Sequence, residues 1–230
     1  MSMLEQAHAQ AEVWDQPHRR GDDGEAVDNH RNQPKPSPDC LYGLIGEIAR
    51  AGSADTEANE YAIAANALAY LSAAVGRVCY MPVGNTWHHP RLFASHVGRS
   101  ALGRKGDAAN LVHRIDKALR LIDPTIAPQV HRGGLSTREG LALLIHDGYS
   151  EGKREVPAID DKRLMVFESE FANVLAQSKR DGNTLSPALR DAWDGVSIRP
   201  ATKTCRVYAS EPHIALSVAV TPNELRTMLV

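Results

Sequence analysis

Hydrophobic residues are scattered over residues 1–37, and from Asp39 onward they fall into repeating patterns. Within the first stretch, GDDGEAVDNHRNQPKPSP offers too little apolar surface to offset the entropy of ordering it, which predicts a disordered polar tail over 1–37. DCLYGLIGEIARAG then sets Leu41, Leu44, Ile45 and Ile48 at helical spacing and ends at Gly52. ANEYAIAANALAYLSAAVGR predicts an Ala-rich helix capped by Asn59 and stopped at Gly76. Together these two helices are expected to form a helical lead-in over 38–80, packed on the main domain.

Beyond PVGNTWHHP the pattern alternates short apolar runs with helices. RLFASHV predicts a strand, followed by a basic, glycine-containing loop and a helix from about Asp107 to Ile122. IAPQVHRG is a short strand at best, and Ser136 with Glu139 three residues on reads as a capping box that opens another helix. KRLMVFE, apolar from Leu164 to Phe167, has the character of a central strand in a parallel sheet, with SEFANVLAQSK the helix after it. Ser186, Pro187 and Gly195 bracket a helix over SPALRDAWDG. CRVYAS and HIALSVAV are the last two strand candidates, and TPNELRTML closes with Thr221 as cap and Glu224 at the capping-box position. Strands alternating with helices predict an α/β core over 81–230, with a mostly parallel sheet flanked by helices.

Composition narrows this picture. A chain of 230 residues, 43% hydrophobic, buries one core of ordinary size. A formal charge of -2 excludes a general attraction to nucleic acid and leaves room only for a local basic patch. Cys40, Cys79 and Cys205 form no CxxC pair, which argues against a disulfide framework and fits a reducing cytoplasm. No apolar run approaches the roughly 18 residues of a membrane span. A cytoplasmic protein without membrane contact is the expectation.

The chemistry concentrates in HVGRSALGRKGDAANLVHRI. A phosphate-cradling loop needs a strand feeding a glycine-permissive turn, backbone N–H groups at a helix start, and a cation. Val97 ends the strand, Gly98, Arg99, Ser100, Gly103 and Gly106 lie in or beside the turn, and Arg104 and Lys105 come before the helix that starts near Asp107. Against G-x-x-x-x-G-K-[ST], Arg104 stands at the lysine position and Lys105 at the hydroxyl position. A basic strand-to-helix turn without a ligand is the other reading of this stretch. LMVFESE places Glu168 and Glu170 where a strand meets a helix, suited to orient magnesium and an attacking water. A carboxylate in a first helical turn accounts for Glu170 equally well. Thr221 arrives at the same carboxyl edge, where a helix cap alone also explains it. Trp87-His88-His89 has no accompanying carboxylate at ligand spacing, and no G-x-S-x-G elbow exists in the chain.

Taken in order, NTWHHPRLFASHVGRSALGRKGDA, GGLSTREGLALLIHD, DKRLMVFESEFANVL, NTLSPALRDAWDG and HIALSVAVTPNEL resemble an uncharacterised family of P-loop-like proteins from bacterial mobile elements. That domain-of-unknown-function family, often joined to primase-polymerase domains, is distantly similar to RecA-like hexameric replicative helicases. The resemblance covers roughly residues 40–230. It implies a RecA-like P-loop core over 81–230, ATP and Mg2+ as ligands, and a helicase-like NTPase role in replicating mobile DNA. DNA and further copies of the chain would be partners. Gly98, Arg104, Lys105 and Gly106 match its phosphate-loop segment. Glu168, holding magnesium through water, and Glu170 match its acidic motif, and His213 to Thr221 match the strand with a sensor-like residue. The family often has Thr or Ser after Lys-Gly, where this chain has Asp107. RecA-like ATPases usually continue with at least one more strand, so an incomplete C-terminal edge is expected. A catalytically silent scaffold and a plain α/β binding domain are the alternatives.

Overall fold

The computed structural model describes residues 36–100, 103–200 and 207–229. The tail expected over 1–37 therefore lies outside the described residues except for its last two positions, as do Cys205 and Arg206 at the start of CRVYAS.

A single 3-10 turn at Pro38–Cys40 leads into α1 (Gly43–Ser53) and α2 (Glu60–Val75). Asn59 caps α2 by accepting hydrogen bonds from the N–H groups of Tyr61 and Ala62, and Gly76 stops it in a positive-φ conformation. An antiparallel hairpin follows, β1 (Met81–Val83) and β2 (Thr86–His88). Then come β3 (Phe93–Val97), α3 (Lys105–Ile122), β4 (Gln129–Arg132) and α4 (Arg138–Leu143). A second hairpin, β5 (Tyr149–Glu151) and β6 (Arg154–Val156), precedes β7 (Arg163–Glu168), α5 (Phe171–Ser178) and α6 (Leu185–Asp194). The chain closes with β8 (His213–Val220) and α7 (Pro222–Leu229).

The main sheet is four-stranded and all parallel, in the order β3-β8-β7-β4. As its apolar run requires, β7 is interior, and all but its first residue are buried. Strand alternation divides the core. Leu164, Val166, Ile214, Leu216 and Val218 face α4, α5 and α6, whereas Met165, Phe167 and Ala215 face α2 and α3. The Ala-rich sequence of α2 suits this position, since Ala69 and Ala73 let the helix lie close to the sheet. The result is an α/β architecture with helices on both faces of a parallel sheet.

Two predicted helix boundaries and one predicted strand are corrected. The helix expected from Ser136 is capped by Thr137, whose hydroxyl accepts from the Gly140 N–H at 3.0 Å, so Glu139 lies in the first turn and completes no box with Ser136. The helix expected from Ser186 begins at Leu185, with the Asn183 side chain accepting from the Leu185 N–H at 2.7 Å. Pro187 sits inside that first turn, where an N–H has no helical partner to lose. In CRVYAS, the described residues form no strand. Ala209 makes one bridge to Ile198, and Val207 and Ala209 plug the core under α6 instead of joining a ladder.

Candidate functional site

The site begins where β3 runs out. Gly98 donates its N–H to Val220 at 3.1 Å, carrying the β3–β8 pairing one residue past the strand. The chain then doubles back, and the Gly103 N–H donates to the Arg99 carbonyl at 2.9 Å. The two glycines meet at the neck of this loop. A Cβ on Gly103 would stand 2.9 Å from the Arg99 carbonyl oxygen and 3.2 Å from Gly98, and one on Gly98 would stand 3.3 Å from Gly103. Close backbone approach is therefore what both positions require. Gly106 differs, because a Cβ there meets nothing within 4 Å.

Arg104 carries φ 41° and ψ 36°, a left-handed conformation rare outside glycine, and α3 starts at the next residue. Such strain persists where the surroundings fix it, and it aims successive backbone N–H groups toward one side of a turn. Lys105 donates its ammonium to the Gly98 carbonyl at 2.7 Å, crossing the neck. The Arg104 guanidinium pairs with Glu57, just ahead of α2. Asp107, in the first turn of α3, is exposed. Arg99 and Ser100 are exposed on the described part of the loop, and residues 101 and 102 lie outside the described residues.

The last strand brings a further carboxylate to this place. Thr221 and Glu224 form a complete capping box. The Glu224 carboxylate accepts from the Thr221 N–H at 2.9 Å and hydroxyl at 2.8 Å, and the Thr221 hydroxyl accepts from the Glu224 N–H at 3.3 Å. These bonds, with a smaller contribution from the Lys105 charge, hold the Glu224 carboxyl below the usual range.

Glu168 ends β7, so β8 lies between it and the loop strand, and the two strand ends stand about 10 Å apart at ordinary sheet spacing. The chain leaves β3 toward α3 on one face and leaves β7 toward α5 on the other. Glu168 is only 3% exposed. Burial pushes its carboxyl up, opposed by the Leu135 N–H, which donates to Oε1 at 2.8 Å. Gly133 and Gly134, at φ 66° and 85°, let the loop after β4 curl over this carboxylate. Glu170 is exposed at the N-terminus of α5 and makes no side-chain cap there.

Beside the loop lies a cleft of about 650 Å³ between the N-terminal half of α2 and β3. Its walls include Ala62, Ala65, Ala94 and Val97, and it reaches Gly98 and Gly103 at the neck. Asn66 and Ser217, 4% and 6% exposed, bond to each other at its floor. His96 lines it too. Burial, and secondarily Lys105, lower the His96 pKa, and its buried Nδ1 has no partner among the described residues.

No family model, curated protein or solved structure matches the chain. The geometry therefore carries the functional argument. It brings Gly98, Gly103, Arg104 and Lys105 together with Thr221, and sets Glu168 one strand beyond. Glu57, His96 and Glu224 adjoin the loop as well, and Asn66 and Ser217 lie in the cleft beside it, though the sequence reading assigned none of them a site role. A polar residue in the middle of an apolar pattern, Asn66 in the Ala-rich helix and Ser217 in HIALSVAV, is the signal that marks two of them. Among the described residues no group of three His, Cys, Asp or Glu is arranged to hold a metal ion, and no helix is long and apolar enough to cross a membrane.

Proposed function

We propose that this chain is an ATP-binding protein of the RecA-like, P-loop type, with the triphosphate cradled by the loop from Gly98 to Asp107. The observation that carries the reading is the lysine-crossed, glycine-locked turn at the exit of a parallel strand. In the absence of an anion the Lys105 ammonium is satisfied by the Gly98 carbonyl, and phosphate oxygens replace that acceptor on binding. Arg104 leaves Glu57, an exposed partner whose attraction is weak, to meet the same charge.

Magnesium fits as a companion of the phosphates. It needs few protein ligands, and Glu168, already held by the backbone N–H groups of Leu135 and Gly134, would reach it only through water. The ion would neutralise developing phosphate charge, with Glu168 contacting it through water and Glu170 orienting the attacking water. A helicase-like role in replicating a mobile element, on DNA and as a homo-oligomer, belongs to this reading.

A second reading, nucleotide binding without hydrolysis, has observations of its own. The Thr221 hydroxyl is committed to Glu224, Oε1 of Glu168 to Leu135, and Asp107 puts a negative charge where a hydroxyl would assist magnesium. Equilibrium dialysis with ATP, followed by phosphate release with magnesium and single-stranded DNA, tests both. Binding with turnover supports the NTPase, binding without turnover supports the silent scaffold, and no binding refutes both.

A further inference from the structure

The cleft between α2 and β3 is more than a margin of the phosphate loop. Small side chains at Ala62 and Ala65 on the helix, and Ala94 on the strand, leave a slot, whose rim also carries Glu57, Asn59, Ser95 and His96. Its floor is polar and buried. The Asn66 side-chain oxygen accepts from the Ser217 hydroxyl, and its NH2 group has no partner among the described residues. The slot runs to Gly98 and Gly103, at the neck of the loop. A slot with one amide at its floor and a phosphate-type loop at its mouth suits the two ends of a nucleotide, base and phosphates.

We infer that this cleft receives the base of the bound nucleotide and that Asn66 reads it as adenine. A carboxamide matches the adenine edge in two hydrogen bonds. Its NH2 donates to a ring nitrogen, and the second lone pair of its oxygen accepts from the 6-amino group. Guanine presents a carbonyl at that position, leaving two acceptors facing each other. Ser217 fixes the amide and so the direction in which it reads. The inference rests on the nucleotide reading above and adds the specificity-determining residue.

Isothermal titration of ATP, GTP and inorganic tripolyphosphate separates the two levels. Wild-type protein is expected to bind ATP about tenfold or more tighter than GTP or tripolyphosphate, the size of effect expected when a buried hydrogen-bonding site is mismatched. Asn66→Ala removes that preference and leaves tripolyphosphate affinity unchanged. Ala65→Leu, which fills the slot without touching the buried amide, does the same and covers the case in which Asn66→Ala misfolds. If wild type binds tripolyphosphate and ATP equally, or if Ala65→Leu retains the ATP preference, the base assignment is overturned while the phosphate loop stands. If wild type binds none of the three, the nucleotide reading itself fails and the inference falls with it.

Discussion

The Lys105 ammonium donates to the Gly98 carbonyl at 2.7 Å, joining the first turn of α3 to the exit of β3. One side chain thus spans a loop whose neck is two glycines in contact, and the positive charge sits where strand, loop and helix converge. The physical consequences divide into those for the loop, for the frame that holds it, and for its ligand.

The neck tolerates no side chain. Gly103→Ala places a methyl 2.9 Å from the Arg99 carbonyl oxygen and is expected to cost about 1–3 kcal/mol, the range of overpacked sites. Gly106→Ala meets open space in the first turn of a helix and is expected to be neutral or to stabilise by up to about 1 kcal/mol. Urea denaturation of the two variants checks the contrast. Equal effects would mean that the neck is not packed as described.

Arg163 supports the frame from the opposite end of β7. It pairs with Asp161 at 2.8 Å and donates to the carbonyls of Ala74, at the end of α2, and of Thr125 and Ile126, beyond α3, at 2.7, 2.6 and 3.1 Å. Arg163→Ala removes the donor from the partly buried Ala74 carbonyl and the anchor of two exposed ones, and is expected to cost about 1–3 kcal/mol. Arg163→Lys recovers little of this, since an ammonium lacks the planar fork that serves separate acceptors. Thermal unfolding of both variants is the test, and a lysine variant as stable as wild type contradicts it.

His213 makes the fold acid-sensitive. Its Nε2 contacts the Ser72 carbonyl at 2.8 Å, and the buried Nδ1 has no partner among the described residues. Burial, with the nearby charges of Arg91, His89 and Arg77, lowers its pKa from 6.5 to about 4. Because the folded value is the depressed one, the stabilisation is complete above the unfolded pKa and is lost as pH falls from 6.5 toward 4. At 1.36 kcal/mol per tenfold change in proton affinity, the loss reaches roughly 3 kcal/mol. His213→Gln keeps a donor for Ser72 and removes the titration. Its urea midpoint is expected to fall less than that of wild type between pH 7 and pH 4.5, and parallel curves would refute the assignment.

Local pattern made much of this fold legible. Asn59 and Gly76 bound α2 as expected, and Thr221 and Glu224 form their capping box, because a cap depends only on residues three or four apart. The two hairpins were missed, although Gly84-Asn85 and Gly152-Lys153 are two-residue turns of a favoured kind. Their strands are three residues long, too short for alternation to register. Val207 and Ala209 read as strand because they are apolar, and only the assembled core shows that they plug it. Sheet order is non-local, so nothing in LMVFESE could reveal that one strand separates Glu168 from the loop. The same holds for Glu57 beside Arg104 and Ser217 beside Asn66, 47 and 151 residues apart in sequence.

The most direct test of the central claim is ATP titration by calorimetry, comparing wild type with Lys105→Ala. The loop account predicts one-to-one binding by wild type and a loss of about tenfold or more in the variant, as expected when a charge-assisted contact to phosphate disappears. Because Lys105 bonds a partly buried carbonyl, thermal unfolding of the variant, expected to show a cooperative transition at a modestly lower temperature, verifies that it is folded. Equal ATP affinity in the two proteins would contradict the account.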